Sequence, residues 1–162
     1  AANTPFRSHK SWVHEGGIAS PLIVHWPAGI QARGELRQAP GHFVDILPTL
    51  LDLADGTPNP DWRGDDAPPL AGVSLAPALQ EDCEIPRECI FFSHIGHRAI
   101  RVGKWKLVAV KFGAWELYDL ETDRSELHNL AGEHPDKVQE LAALWQEKAD
   151  TFFQQSGDRR IS

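Results

Sequence analysis

The stretch "IFFSHIGHRAIRVGKWKLVAVKFGAWELYDL", residues 90–120, decides the fold. Ile90 to His94 reads as a strand rich in aromatic and β-branched residues, and Arg98 to Val102 as a second. Val102-Gly103-Lys104 narrows to a tight hairpin, after which Trp105, Leu107 and Ala109 alternate with Lys104, Lys106 and Val108. Gly113 marks the next turn, and "WELYDL" supplies a fourth strand. Short consecutive strands joined by turns predict an antiparallel meander with one wet face.

Downstream, Pro135 suits the first position of a helix and Asp136 complements its N-terminal dipole. Val138, Leu141, Trp145, Ala149 and Phe152 recur every three or four residues, a stripe that should cover the dry face of the meander. Upstream, "GHFVDILPTLLDLAD" (41–55) carries the same periodicity, with Pro48 inside it. The reading is an irregular turn around Asp45, a helix from near Leu47 and a stop at Gly56. Residues 56–72 are dense in Pro, Gly and Asp and read as a long surface loop holding Asp61, Trp62, Asp65 and Asp66. "VSLAPAL" follows as a short turn or helix.

The N-terminal text is more unusual. "SHKSWVHEGGIASPLIVHWPAGI" (8–30) crowds Lys10, His9, His14, Glu15 and the Gly16-Gly17 pair before an apolar run, Leu22 to Trp26, that predicts a buried strand. The glycines permit a sharp turn or a close backbone approach. Two readings of Lys10 stay open on the residues alone. It is one wall of an anion pocket, or a solvated lysine before an ordinary turn.

Composition narrows the classes. The 162 residues are 41% hydrophobic and 24% charged, ordinary for a globular chain. A formal net charge of −7 argues against a nucleic-acid surface. No apolar run approaches the roughly 20 residues of a membrane span. With no methionine, the chain reads as a piece of a longer protein. Cys83 and Cys89, with five residues between them, fit neither a C-x-x-C motif nor a zinc site, so a local disulfide and two unrelated thiols both stay open.

These segments, in this order, resemble the C-terminal part of the sulfatases of arylsulfatase type. The likeness runs through "NTPFRSHKSWVHEGGIASPLIVHWPAGI" (3–30), "GHFVDILPTLLDLA" (41–54), "PLAGVSLAPAL" (69–79), "HRAIRVGKWKLV" (97–108) and "WELYDLETDRSELHNLA" (115–131). The resemblance implies an α/β fold: the C-terminal portion of an alkaline-phosphatase-like mixed sheet plus a small four-stranded antiparallel sheet packed on a C-terminal helix. Residues 1–82 would belong to the large domain and 83–162 to the small subdomain. It implies sulfuric ester hydrolysis by the complete protein, with calcium and a formylglycine as cofactors. The C/S-x-P-x-R motif that yields formylglycine is absent here, and the family's Asp-Asn metal ligands would fall outside this chain, so the chain alone should be inactive. Implied partners are a sulfate ester small molecule or a sulfated glycan, together with the N-terminal remainder of the sulfatase domain. A periplasmic or secreted location is implied by the resemblance only. A phosphoesterase or phosphonate hydrolase of the same superfamily, and a non-catalytic binding domain retaining the fold, are the alternatives.

Lys10 stands five positions before Glu15, where the family's sulfate-contacting lysine stands, so the resemblance makes it the catalytic and substrate-binding candidate. His94 and His97, where relatives often read His-Glu-Gly-Asn, are candidates for lining the substrate cleft, as is Trp62. Glu15, Gly16, Gly17 and His14 are expected to support the loop from behind, and no residue is assigned to a metal.

Overall fold

The computed structural model describes residues 3–59 and 68–156, which form two compact units: Ala1–Pro21 with Glu88–Ser162, and Leu22–Arg87. The boundary expected after residue 82 concerns membership of a larger domain. Within this chain the packing divides elsewhere, because the N-terminal segment belongs with the meander rather than with the residues that follow it.

In the first unit, β1 (Ile90–His94), β2 (His97–Val102), β3 (Trp105–Ala109) and β4 (Glu116–Asp119) form an antiparallel sheet in the order β1-β2-β3-β4. His94 pairs with His97, so Ile95 and Gly96 make a two-residue turn, both at positive φ (48° and 78°) as a type I′ hairpin requires. Val102 pairs with Trp105 across Gly103-Lys104, with Gly103 at φ 55°. The expected stripe docks as predicted: Ile100, Leu107 and Leu117 bury against Leu141 and Trp145 of the 21-residue helix Pro135–Gln155. Phe91 stacks on Trp145 at 5.4 Å, and the Trp145 indole N–H donates to the Phe92 carbonyl at 3.1 Å.

The second face departs from the expectation of a wet side. Ala99, Val108 and Tyr118 are buried there with Val13 and Leu120, because the N-terminal segment lies on that face and covers it. Lys106, which alternation places on this side, is fully buried. A strand reads as half-wet only when nothing from a distant part of the chain packs against it.

In the second unit a 3₁₀ turn, Phe43–Asp45, runs into the helix α2 (Ile46–Leu53), with Pro48 in its first turn. Asp45 is buried and organises this region without capping α2 by its side chain. Its carboxylate accepts from the His42 N–H (2.7 Å), the Val73 N–H (3.0 Å) and the Arg87 guanidinium (2.8 Å). At the far end Asp55, not Gly56, takes the left-handed position (φ 49°), and the Gly56 N–H closes the helix on the Leu51 carbonyl at 2.8 Å. A short helix, Ala76–Gln80, contributes Ala78 to a small core with Leu75 and Ile85.

The buried strand predicted over residues 22–26 is not present. The segment carries no strand pairing among the described residues, and Leu22 and Ile23 are 62% and 87% exposed. An apolar run becomes a strand only where a neighbouring edge satisfies its backbone, and among the described residues the paired strands are all in the other unit. Cys83 and Cys89 are not bonded to each other; they pack with different apolar clusters, one in each unit.

Candidate anion-contact loop

Ser8 to Ser11 form a pinched loop in which both serines adopt left-handed backbone (φ 65° and 81°), a conformation that costs a non-glycine residue about 1–2 kcal/mol. Such strain persists only where the surroundings over-determine it, and it clusters at functional sites. The surroundings are the Gly16-Gly17 pair, within a one-turn helix Glu15–Ile18 that we call α1. The Gly16 N–H donates to the Arg7 carbonyl at 2.9 Å. A Cβ on Gly16 would stand 2.0 Å from that oxygen, and one on Gly17 would stand 2.1 Å from the Trp12 carbonyl oxygen. The close approach that the glycines permit is thus to the chain's own backbone. Lys10 lies exposed on the loop between the two strained serines, and no carboxylate among the described residues pairs with it.

The loop rests on buried aromatic and charged groups. The Trp12 ring lies 6.4 Å from His9, 6.3 Å from His14 and 5.1 Å from His97, centroid to centroid. His14 is buried with Nε2 3.3 Å from Glu116 Oε2. Tyr118 donates its hydroxyl to the same carboxylate and accepts from Arg7 Nη1 at 2.8 Å. Burial pushes the Glu116 carboxyl up, but hydrogen bonds from Tyr118 and His14, with the charges of His14 and Arg7, outweigh it and hold the group below its ordinary range. The Tyr118 phenol is pushed up, by burial first and then by its bond to Glu116.

Deeper still, the Lys106 ammonium sits 2.9 Å from Glu15 Oε1 and 2.8 Å from Glu126 Oε1, all three residues buried. Glu126 also accepts the Glu15 N–H at 2.7 Å. Glu15 is thus one carboxylate of this ion cluster.

The structure places His14, Glu15, Gly16 and Gly17 in consecutive positions, with the glycines against the backbone of residues 7–12. His97 is buried beside Trp12; burial, and then the charges of Lys111, His94 and His14, lower its pKa. His94, across the hairpin turn, is exposed. Trp62, with Asp61, Asp65 and Asp66, lies outside the described residues. Sequence reasoning missed Arg7, Trp12, Lys106, Tyr118 and Glu126. The only signal for Lys106 was its place in a strand, where alternation pointed to water; Glu126 joins it from far along the chain, so spacing carried no warning. Among the described residues, no group of three or more His, Cys, Asp or Glu could hold a metal ion.

Residues 7–154 match the family model described as N-sulphoglucosamine sulphohydrolase, C-terminal. The chain belongs to this sulfatase family. An uncharacterized sulfatase of Schizosaccharomyces pombe is 36% identical over 90% of this chain and 27% of its own length. Arylsulfatase K of Danio rerio is 32% identical over 84% and 27%, and an N-acetylgalactosamine-6-O-sulfatase of Bacteroides thetaiotaomicron 32% over 86% and 29%. The chain thus spans little more than a quarter of the curated relatives it matches. Among solved structures, a 6S-sulfatase from the glycosaminoglycan-metabolism locus of B. thetaiotaomicron superposes with a TM-score of 0.72 at 27% identity, over 88% of this chain and 31% of that one. This chain shares the fold of that sulfatase, and its described residues form a small antiparallel sheet with its C-terminal helix and the segments leading to it.

Proposed function

We propose that the complete protein hydrolyses sulfate esters, and that this chain contributes Lys10 as the ammonium that contacts the sulfate. The observation that carries the reading is the presentation of Lys10: exposed, without a carboxylate partner among the described residues, on a loop whose two flanking serines are held in left-handed backbone. Sulfuryl transfer places negative charge on nonbridging and leaving oxygens. A fixed cation in a water-poor site stabilises that charge more than bulk water does. Calcium and a formylglycine, which the resemblance implies for the complete enzyme, would be supplied by parts of the protein outside this chain.

The substrate we propose is a sulfated glycan unit or a small aryl sulfate. Relatives named as N-acetylglucosamine-6-O-sulfatase and N-acetylgalactosamine-6-O-sulfatase support the sugar. His94 and His97, on the β1–β2 hairpin, and Trp62 are proposed to border the substrate cleft of the whole protein. The proposed domain assignment, 1–82 large and 83–162 small, belongs to this reading.

The test is steady-state kinetics of the full-length protein on 4-nitrophenyl sulfate and on glucosamine 6-sulfate. Lys10→Ala is expected to lower kcat and kcat/KM together, by about 10²–10³. Lys10→Arg should also be impaired, since a planar fork does not replace a compact ammonium. Near-normal kcat/KM in a folded Lys10→Ala protein would remove Lys10 from the site.

A further inference from the structure

We infer that Lys106 is a positioning residue for Lys10, acting through the buried cluster it forms with Glu15 and Glu126; this rests on the reading of Lys10 as the sulfate contact. The connection is continuous. Lys106, the second residue of β3, is fully buried and bridges the two carboxylates at 2.9 and 2.8 Å. Glu126 accepts the Glu15 backbone N–H at 2.7 Å, so the first residue of α1 is held by both side chain and main chain. From α1, the Gly16 N–H grips the Arg7 carbonyl at 2.9 Å, and Gly17 lies against the His9 and Trp12 carbonyls. Arg7 closes the circuit by donating to the Glu126 carbonyl at 2.8 Å. Both ends of the Ser8–Ser11 loop are therefore tied to one buried ion cluster.

Charge explains why the cluster is a device for fixing position. One ammonium between two carboxylates leaves a unit negative excess, which Arg124 balances from the solvent side with Nε 3.5 Å from Glu15 Oε2. Buried ion clusters are weak contributors to net stability compared with packed apolar side chains, but they are strongly directional. Here the direction imposed is that of α1, and with it the two left-handed serines around Lys10.

Two measurements on the full-length protein separate this inference from the function it rests on. In Lys106→Met, hydrogen exchange of amides in residues 8–17 should quicken by at least about tenfold, while amides of the Pro135–Gln155 helix stay as in wild type. Unchanged exchange at 8–17 overturns the inference whatever Lys10 does. Kinetics on 4-nitrophenyl sulfate give the second arm. Lys106→Met should lower kcat more than it raises KM, and in a Lys10→Ala background it should cause no further loss beyond about twofold, since the two residues act in series. A further loss in the double variant equal to that of Lys106→Met alone means a merely structural role and overturns the inference. If Lys10→Ala is itself silent, the sulfate-contact reading fails and the exchange result still decides the clamp. Where Lys106→Met does not fold, Glu126→Gln, which keeps the shape and removes the charge, carries both comparisons.

Discussion

At the scale of single residues, burial decides what each histidine and lysine of this chain does. Lys10 and Lys106 are the same side chain in opposite circumstances, one in water and unpaired by carboxylates among the described residues, the other dry between two of them. His97 is a pH-sensitive group. Its folded pKa lies below the ordinary value, through burial first and neighbouring positive charges second, so the folded state favours the neutral ring. The unfolded chain then takes up a proton near the ordinary histidine pKa of about 6.5 before the folded chain does. The stability His97 contributes is thus fully present above about 6.5 and is lost as pH falls through the folded pKa. Urea melts of the full-length protein between pH 7.5 and 5 should show this loss, and His97→Gln should flatten it. A slope unchanged by the substitution would assign the pH dependence to other groups. Nothing in "SHIGHRAIR" distinguished exposed His94 from buried His97, because the hairpin register that separates them depends on where the turn falls.

At the scale of elements, local pattern was enough for the meander and its helix. Periods of two and of three to four, with Gly103 and Pro135 as punctuation, located β1 to β4 and the C-terminal stripe to within a residue or so. What pattern did not disclose was the covering of the second sheet face by the N-terminal segment, a contact between parts of the chain about ninety residues apart, such as Lys106 with Glu15. The glycine pair of α1 gives that contact its test. A Cβ at Gly17 would meet the backbone oxygens of Trp12 at 2.1 Å and His9 at 2.7 Å, and neither can move without displacing the Lys10 loop. Gly17→Ala should cost about 1–3 kcal/mol, the usual range for overpacking. Gly132 has nothing within 4 Å of its would-be Cβ, and Gly132→Ala should fall within about 0.5 kcal/mol of wild type. Chemical denaturation of the two variants side by side reads the difference; equal stabilities would mean that the loop is not clasped on α1 as described.

At the scale of the whole molecule, the two units differ in how much of their apolar surface is satisfied internally. The unit containing the sheet buries side chains on both faces: Ile100, Leu107, Leu117, Leu141 and Trp145 on one, Val13, Ala99, Val108, Tyr118 and Leu120 on the other. Among the described residues, the Leu22–Arg87 unit has a core cluster of Leu75, Ala78 and Ile85, and it leaves Leu22, Ile23, Phe43, Leu47 and Leu50 more than half exposed. This is also where the sequence misled, because the apolar run at 22–24 announces a buried surface without saying what buries it. Apolar side chains left this exposed contribute little burial to the unit's own stability. The 162-residue chain expressed by itself should therefore be uneven in stability. Amides of β2 and β3 should exchange slowly and those of residues 22–36 near the rate of an unstructured peptide, with binding of an apolar fluorescent dye that the full-length protein does not show. The same preparation should lack turnover of 4-nitrophenyl sulfate above its Lys10→Ala control, since the chain holds no C/S-x-P-x-R motif. Uniformly slow exchange across both units, without dye binding, would mean that the exposed leucines and phenylalanine need no cover, and that Leu22–Arg87 is stable on its small core alone.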